Sequence, residues 1–410
     1  MNKPLSGLRV LDLSQFLSAS FCTMLLAGMG AEVVKLERPG TGDPARLSPP
    51  FGGAAGVGIT STGPEDLSLA ILKRGRNKKS ITLNLHSEKG KELFIKLLSR
   101  FDVLVENFRP GTMEKLGLSY ETLKEHCPGL IYASISGFGD VKAYEKLPAF
   151  DIVIQAMSGL MSTNGSMDGP PTKTSAAISD LSAGLFLCSG ILAALHRRQI
   201  TGEGDKVSVS LMDSVISLML DEAPDVWGAN GYPERCGSRL TRLTPFNSYT
   251  AKDGGFVIAS GGDKHWAEIA KAMGKPEYID DPRFAHQSAR AENAELVDST
   301  INEWGSKLTV AEVLTALRAG GVPCGEVRSV KDMLADNELA DAGVIGPVIH
   351  PTAGALGGAS VGHMPIRFEN AVSDFDSAAP FLGQHNTEVY CQMLGLSPEE
   401  LCKLNVDKVV

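Results

Sequence analysis

Short apolar runs of strand length alternate with segments of helical spacing through the first 140 residues of this chain, and this alternation constrains its fold more than any other feature. We interpret as strands 8–14, 31–37, 80–85, 102–108 and 130–136, and as helices 17–29 and 87–98. Strands that alternate with helices of this length predict right-handed βαβ units and a mostly parallel, doubly wound sheet, an α/β fold. Ligands of such sheets bind at the carboxyl ends of the strands, which directs attention to Arg38, Asn107–Arg109 and Ser136–Gly139.

The rest of the chain indicates a second domain. A chain of 410 residues is expected to form two to three domains. Residues 1–200, which end in an apolar helix over 181–197, are assigned to a large domain, and 225–325 to a smaller central domain, since the composition changes near residue 225. Residues 41–79 are rich in glycine and proline with little periodicity, and we expect a long loop there.

Composition bears on partners and location. The formal charge is −9, with 43% hydrophobic and 21% charged residues, which is typical of a soluble protein and argues against a nucleic-acid binder. Seven scattered cysteines without a CxxC pair indicate reduced thiols, and the start of the chain has no apolar core of signal-peptide length. The apolar stretch 181–195 is shorter than the roughly 20 residues that span a bilayer. We therefore expect a cytoplasmic protein that is not bound to membranes.

Familiar catalytic motifs are absent. The sequence has no GxSxG, GxxxxGK[ST] or HExxH pattern, and no GxGxxG closes the first strand. The eight histidines show no spacing of metal ligands, so no metal is expected. Without the phosphate-binding glycines, a plain dehydrogenase is disfavoured despite the strand pattern.

A run of basic residues, 73–79, stands out in an acidic protein. One interpretation is a solvated surface loop. The other is an anion site for the phosphates of a cofactor, because Lys and Arg supply charge-assisted hydrogen bonds.

Two carboxylates, Asp180 and Asp151, open apolar segments. Asp180 precedes an apolar helical run, where Asp is a preferred N-cap. An ionised Asp near a helix N-terminus can also act as a nucleophile toward an activated acyl group, and the small residues around Asp180 would leave room for a substrate. Asp151 likewise marks the boundary of a strand or helix, and spacing alone leaves both roles of Asp180 open.

A series of blocks in order resembles the class III CoA-transferase family, the carnitine-dehydratase and bile-acid-inducible group that includes formyl-CoA transferase and α-methylacyl-CoA racemase. The blocks are GLRVLDLS, GAEVVKLERPGTGD, NKKSITLNL, DVLVENFRPG, LIYASISGFG, GPPTKTSAAISDLSAG, GILAALHRRQITGEGDKVSVSLMDS, GVPCGEV and LGQHNTEV. The resemblance runs essentially from end to end. It implies an interlocked homodimer in which each chain has a large Rossmann-like domain, completed by 326–410, and a smaller central α+β domain.

The resemblance also implies a chemistry. Asp180 matches the nucleophile of the transferases, which attacks an acyl-CoA to form an aspartyl anhydride and then an aspartyl-CoA thioester before a carboxylic acid takes the CoA. Coenzyme A and acyl-CoA are then substrates, with no tightly bound cofactor. The positions that match CoA contacts are Arg38, Leu17, Ser18, Leu83, Asn84, Leu85, His86, Asn107, Phe108, Arg109, Lys115, Phe150 and Asp151.

Departures from the family pattern decide between activities. The racemases carry His-Asp where this chain has Phe150-Asp151, and Phe cannot move a proton, so a transferase is favoured. The alternatives are a 2-methylacyl-CoA racemase and a catalytically silent CoA-binding protein. The tetraglycine loop of formyl-CoA transferase has no counterpart here, which puts oxalate and formate specificity in doubt. The usual Gly-Pro after the first strand is Ala19-Ser20, a change expected at the edge of the CoA pocket.

Overall fold

The computed structural model describes residues 2–240 and 242–410. The strands are β1 (Arg9–Asp12), β2 (Glu32–Glu37), β3 (Phe51–Gly53), β4 (Gly56–Gly58), β5 (Leu67–Ser68), β6 (Lys78–Thr82), β7 (Val103–Glu106), β8 (Ile131–Ser136), β9 (Asp205–Ser210), β10 (Phe246–Thr250), β11 (Gly255–Ala259), β12 (Cys324–Glu326), β13 (Ile345–His350) and β14 (Gly354–Gly362).

The α-helices are α1 (Ser18–Gly28), α2 (Leu69–Arg74), α3 (Glu88–Leu98), α4 (Thr112–Lys115), α5 (Tyr120–His126), α6 (Asp151–Met157), α7 (Leu160–Thr163), α8 (Ile178–Thr201), α9 (Leu211–Met219), α10 (Pro224–Ala229), α11 (Asp263–Ala272), α12 (Gln287–Glu292), α13 (Ala294–Gly305), α14 (Val310–Ala319), α15 (Val330–Leu334), α16 (Asn337–Asp341) and α17 (Pro398–Val406). Short 3-10 turns cover Pro44–Leu47, Leu220–Glu222 and Pro276–Tyr278, and a π-helical segment covers Glu388–Met393.

The chain divides into two compact units. Unit 1 contains residues 1–158, 175–219 and 337–410, and unit 2 contains 159–174 and 220–336. The segment 159–174 was assigned from the sequence to the large domain, but the structure groups it with unit 2, where Arg235 donates to the carbonyl oxygens of Ser162 and Gly169 at 2.8 Å. These hydrogen bonds join residues about 70 positions apart, so the local sequence does not signal them.

Unit 1 is built on a six-stranded sheet in the order β6-β2-β1-β7-β8-β9, with all neighbours parallel. The predicted parallel sheet is confirmed. The chain first adds β2 and β6 on one side of β1, and then β7, β8 and β9 on the other side. The strand order therefore reverses between β1 and β7. This reversal is the topological switch point at which doubly wound sheets bind their ligands.

The third strand differs from its predicted range. β6 ends at Thr82, whereas a strand over 80–85 was expected. The N–H of Asn84 donates to Val409 O at 2.8 Å rather than to a sheet neighbour. Residues 83–86 therefore leave the sheet at its carboxyl edge and are free to line a cavity.

Residues near the end of the chain cover the outer edge of β6. His385 N–H donates to Ser80 O at 2.9 Å, and Thr82 N–H donates to the Asn386 side chain at 2.9 Å. Tyr390, fully buried, donates its hydroxyl to Thr82 O at 2.7 Å. An edge strand that would otherwise expose unpaired backbone groups is thus satisfied by side chains and backbone more than 300 positions away.

The 41–79 passage is more ordered than the predicted loop. It contains the 3-10 turn, a three-stranded antiparallel sheet in the order β4-β3-β5, and α2. Gly52 of β3 lies so close to Leu356 of β14 that a Cβ would meet its Cδ1 at 2.4 Å. These strands have only two or three residues, and several of the residues are glycine. Such segments are too short to show a hydrophobic periodicity in the sequence.

The long helix α8 runs for 24 residues, beyond the predicted 181–197. Among the described residues it is the one helix long and apolar enough to cross a membrane, so the expectation that this segment is too short was wrong. The core helix of a soluble protein passes the same test. Gly184 brings α8 onto α1, since a Cβ there would meet Ser18 O at 2.7 Å.

Unit 2 has its own core. The antiparallel strands β10, β11 and β12 form a sheet, and α11, α13 and α14 pack on it. Trp266, Phe256 and Ile301 are almost completely buried among these elements. The unit thus combines a small antiparallel sheet with helices, an α+β arrangement.

Candidate active site

A cavity of about 730 Å³ lies at the carboxyl edge of the parallel sheet in unit 1. Its walls come from residues at the carboxyl ends of the strands and just beyond them: 13–18 at β1, 36–38 at β2, 83–86 at β6, 107–110 at β7 and 135–137 at β8. Five consecutive strand ends therefore contribute to one cavity, at the place that the doubly wound topology predicts.

Asn107 links the segments that follow β1 and β7, the two strands at the topological switch point. Its Oδ1 accepts from Gln15 N–H at 2.7 Å, and its Nδ2 donates to Gln15 O at 2.8 Å. The same amide nitrogen also donates to Ser18 Oγ at 3.3 Å. One side chain at the end of β7 thus fixes the loop after β1 and the start of α1.

Buried charged side chains hold the loop that follows β1. Lys35 forms an ion pair with Asp43 at 3.0 Å and donates to Ser14 O at 2.6 Å. Asp43 in turn accepts from the N–H of Phe16, which adopts a left-handed backbone at φ 58°. Burial alone would raise the pKa of Asp12, but the charges of Lys78 and Lys35 outweigh it and hold that pKa below its usual range. The network carries matched charges, as buried ion pairs require.

Asp180 lines the cavity and does not cap its helix. Ala177 is the N-cap of α8, and Asp180 is the third residue of the first turn, so the capping interpretation was wrong. Burial and the nearby charge of Asp151 raise the pKa of Asp180 to about 6, while the Ser18 hydroxyl and Arg74 act in the opposite direction. At neutral pH the carboxylate is mainly ionised, poorly hydrated and accessible from the cavity.

Asp151 performs the capping that Asp180 does not. It is the first residue of α6, and its Oδ1 accepts from Ser179 N–H at 3.0 Å and from Ser179 Oγ at 2.5 Å. Its Oδ2 accepts from Gln155 Nε2 at 2.7 Å. The interpretation of Asp151 as an element boundary is confirmed. Its carboxylate accepts hydrogen bonds from Gln155 and Ser179 and does not line the cavity.

The structure brings most of the positions matched to CoA contacts into one cavity. Eleven line it: Arg38, Leu17, Ser18, Leu83, Asn84, Leu85, His86, Asn107, Phe108, Arg109 and Phe150. Lys115 and Asp151 do not line it, and Lys115 is exposed on α4. The CoA contact of these two residues stays a prediction.

The basic run 73–79 is neither a solvated loop nor a single anion site. Lys78 is buried in an ion pair with Asp12 at 2.9 Å, and Lys79 pairs with Glu32 at 2.5 Å and Glu388 at 2.7 Å. The Arg76 guanidinium lies 3.8 Å from the centre of the Phe375 ring. Of the run, only Arg74 lines the cavity.

Sequence reasoning missed two further parts of the wall. Residues 147–149 line the cavity ahead of Phe150, whose ring meets that of Phe16 edge-on at 6.1 Å between centres. Arg74 was noted only as part of the basic run. No local signal distinguishes it from its neighbours, since its place depends on how α2 packs.

The cavity suits an anionic ligand. Arg38, Arg74 and Arg109 line it, and within residues 2–240 and 242–410 their side chains make no hydrogen bond or ion pair with the protein. Unpaired guanidinium groups in the wall of a cavity are ready donors to phosphate and carboxylate. In the same described part of the chain, no three His, Cys, Asp or Glu side chains are grouped as metal ligands are.

Comparison with known proteins identifies the family of this chain. The sequence model of CoA-transferase family III matches residues 5–386. Succinyl-CoA:mesaconate CoA-transferase of Haloarcula marismortui is 39% identical over 391 residues, 94% of this chain and 95% of the relative. Succinyl-CoA–D-citramalate CoA-transferase of Chloroflexus aurantiacus is 37% identical, covering 100% of this chain and 98% of the relative. Formyl-CoA:oxalate CoA-transferase of Streptomyces avermitilis is 37% identical over the full length of both.

A solved structure shares the fold. A CaiB/BaiF family protein from Brucella suis superposes with a TM-score of 0.81 at 31% identity, covering 96% of this chain and 100% of that one. The resemblance inferred from the sequence blocks is confirmed, and a transferase is supported over the racemase and silent-binder alternatives. This chain belongs to CoA-transferase family III, whose members move CoA between an acyl-CoA and a carboxylic acid.

Proposed function

We propose that the protein transfers CoA through covalent intermediates on Asp180. The observation that carries this proposal is the position of Asp180 in the cavity wall, partly desolvated and not used as a helix cap. A carboxylate that has lost much of its hydration is a better nucleophile than one in water.

The first half of the reaction moves CoA from donor to enzyme. An oxygen of Asp180 attacks the thioester carbonyl carbon, the C–S bond breaks, and CoA leaves as a thiolate, which gives a mixed anhydride. The thiolate then attacks the Asp180 carbonyl carbon, the anhydride C–O bond breaks, and the donor acid leaves as a carboxylate. Asp180 now carries CoA as a thioester.

The second half reverses these steps with the acceptor. The acceptor carboxylate attacks the aspartyl thioester and releases CoA thiolate, which then attacks the acceptor acyl carbon and frees Asp180. Each step exchanges one activated acyl carbon for another, so no net proton or redox change occurs and no ATP is needed. Covalent catalysis splits one difficult exchange into easier ones.

Coenzyme A is proposed to lie along the carboxyl edge of the sheet. Arg38 and Arg109, at the ends of β2 and β7, are placed to bind its phosphates, and 83–86 and 107–108 supply the wall between them. CoA and acyl-CoA act as substrates, and no tightly bound cofactor is part of the proposal.

We also propose the interlocked homodimer and a cytoplasmic location. Helices α6 and α8 expose apolar side chains, with Ile152 at 51%, Leu185 at 52% and Phe186 at 42% exposure. Such a surface on helices next to the candidate site fits burial against a second copy of the chain.

The decisive experiment is transfer with a defined pair of substrates. Incubation with succinyl-CoA, the donor named for two of the relatives, and a panel of carboxylic acids is expected to give new CoA thioesters by mass spectrometry. A CoA adduct is expected on the peptide that contains Asp180. Full transfer by a folded Asp180→Ala variant would refute the covalent mechanism.

A further inference from the structure

Two phenylalanine rings meet in the wall of the cavity. The rings of Phe16 and Phe150 pack edge-on with 6.1 Å between their centres, and both residues line the cavity. Phe16 is 41% exposed and Phe150 is 60% exposed, although large apolar side chains are most often buried. This aromatic pair therefore presents an apolar surface that a bound acyl-CoA would cover.

The aromatic pair lies at the Asp180 end of the cavity. Phe16 is two residues before Ser18, whose hydroxyl contacts the Asp180 carboxylate. Phe150 is the N-cap of α6 and directly precedes Asp151, whose carboxylate caps α8 one residue before Asp180. Two separate segments of the chain thus bring one ring each close to the carboxylate that is proposed to react.

The backbone of Phe16 has a conformation that phenylalanine rarely adopts. Its φ is 58°, in the left-handed region, and its N–H donates to Asp43 Oδ1 at 3.1 Å. Asp43 is itself held by the buried Lys35 at 3.0 Å. The position of the Phe16 ring is therefore maintained against a backbone cost, which points to a function for this side chain.

We propose that Phe16 and Phe150 shield acylated Asp180 from water, so that the enzyme transfers CoA instead of hydrolysing its donor. This inference rests on the proposed role of Asp180 as the acylated residue. Apolar rings offer water no hydrogen-bonding partner, and their contact with bound acyl-CoA excludes water from the reacting carbon.

The reaction that the aromatic pair would prevent is hydrolysis of the aspartyl thioester. Water adds to the acyl carbon of Asp180, the C–S bond breaks, and CoA leaves as a thiol with one proton of the water. The other proton passes to solvent as Asp180 returns to a carboxylate. The donor is then consumed without any transfer to an acceptor.

The test measures hydrolysis and transfer with the same donor. Each protein is given succinyl-CoA alone, and the release of free CoA is followed with a thiol reagent and corrected for the rate without enzyme. Transfer is measured in parallel as labelled succinyl-CoA formed from deuterated succinate, since the donor acid can return as acceptor. The ratio of the two rates reports on access of water, because a loss of folded protein lowers both rates alike.

Two variants each remove one ring. Phe16→Gly does so without a backbone cost, because glycine readily adopts a φ of 58°. Phe16→Gly and Phe150→Ala are each expected to raise the ratio of hydrolysis to transfer by about 10-fold, the order that one aromatic contact supplies. The double variant is expected to add little more, because the two rings act as one cover. Phe150→Tyr keeps a ring and is expected to lie closer to wild type than Phe150→Ala.

Tyr144→Leu is the matched control. Tyr144 is 37% exposed and precedes Phe150 in the same connection between β8 and α6, but it does not line the cavity. This variant is expected to keep the wild-type ratio. An equal rise in Tyr144→Leu would overturn the shielding role, as would unchanged ratios in Phe16→Gly and Phe150→Ala.

Two further measurements separate this inference from the proposed function. Additional hydrolysis that persists when Asp180→Ala is combined with Phe16→Gly overturns the shielding role, since the water would not then act on acylated Asp180. The CoA adduct on the Asp180 peptide is measured in the same samples. Its absence in active wild type refutes the proposed function and the inference with it, whereas an adduct with unchanged ratios refutes the shielding role alone.

Discussion

The carboxylate of Asp151 accepts hydrogen bonds from both the N–H and the hydroxyl of Ser179, at 3.0 and 2.5 Å, so a side chain of α6 caps α8 one residue before Asp180. The arrangement leaves the Asp180 carboxylate directed to the cavity instead of to its own helix end. It also places a second negative charge near Asp180, which contributes to the raised pKa of that group.

Replacement of Asp180 is expected to abolish transfer. Asp180→Ala removes the carboxylate and Asp180→Asn replaces it with a weakly nucleophilic amide, and we expect a loss of at least about 10³-fold in kcat, because the proposed covalent intermediates form on this carboxylate. New thioesters are quantified by mass spectrometry, with circular dichroism to verify folding. Ser189→Ala, at an exposed position on the same helix, serves as the control and is expected to retain wild-type activity.

The same Asp180→Asn variant is expected to be more stable than wild type at pH 8. A carboxyl group with a folded-state pKa of about 6, against an ordinary 3.8, destabilises the fold when it is ionised in both states. That penalty is present above about pH 6 and disappears below about pH 4. Allowing for partial exposure, the gain is on the order of 1–2 kcal/mol. Urea unfolding at pH 8 and pH 4 measures it, and a gain that does not shrink at pH 4 contradicts this cause.

The Asp151→Asn variant is expected to shift the pH profile. Transfer requires ionised Asp180, so kcat/KM in wild type should rise with pH through about 6 and then level off. The asparagine keeps an acceptor for Ser179 but removes the like charge, and the midpoint of the rise should move to lower pH. An unchanged midpoint would show that the Asp151 charge does not act on Asp180.

A second group titrates close to this range and needs its own control. Burial raises the pKa of Glu106 to about 7, although its hydrogen bonds from Phe108 N–H and the Tyr132 hydroxyl oppose this. Glu106→Gln is expected to leave the midpoint of the rise near 6. A midpoint that follows Glu106 instead would reassign the pH dependence.

Removing the side chain of Asn107 is expected to weaken CoA binding. Asn107→Ala loses the two hydrogen bonds to Gln15 at 2.7 and 2.8 Å and frees the loop after β1. We expect the KM for acyl-CoA to rise about 10-fold or more, with a smaller change in kcat. Initial rates over a range of acyl-CoA concentrations measure both values. Lys124→Ala, an exposed lysine on α5, should behave as wild type, and an unchanged KM in Asn107→Ala would contradict the role of the loop.

A methyl group at Gly184 is expected to disturb the helix pair. The Cβ of Gly184→Ala would lie 2.7 Å from Ser18 O, so α8 must move away from α1. We expect a loss of about 1–3 kcal/mol in the free energy of unfolding and reduced activity, because Asp180 lies one turn earlier on the same face. Denaturant unfolding tests this, and a stability equal to wild type would show that the helices accommodate the methyl group.

Local pattern was sufficient to predict the strands of the sheet and the edge at which the site lies. β1, β2, β7 and β8 fall within their predicted ranges, because buried parallel strands form short continuous apolar runs. Most residues placed at the site follow directly from strand ends, as Arg38 and Asn107 do.

What could not be predicted depends on contacts between distant segments. Asp151 and Ser179 are 28 positions apart, and nothing in either sequence block indicates that one carboxylate caps the other helix. Arg74 lies in a run of basic residues in which Lys78 pairs with Asp12, and Lys79 pairs with Glu32 and Glu388. Composition shows the charge of the run, but only packing decides which guanidinium remains free.

The cover on the outer edge of β6 has a consequence for how the protein reaches its active form. Ser80 and Thr82 obtain their partners from His385, Asn386 and Tyr390, so the strand that leads into residues 83–86 is completed by residues some 300 positions later. Contacts of such sequence separation form late and slow folding, because a long loop must close first. During synthesis, a ribosome-bound chain that already contains Asp180 still lacks a finished wall for the cavity, and competence to bind substrate waits for residues 385–390.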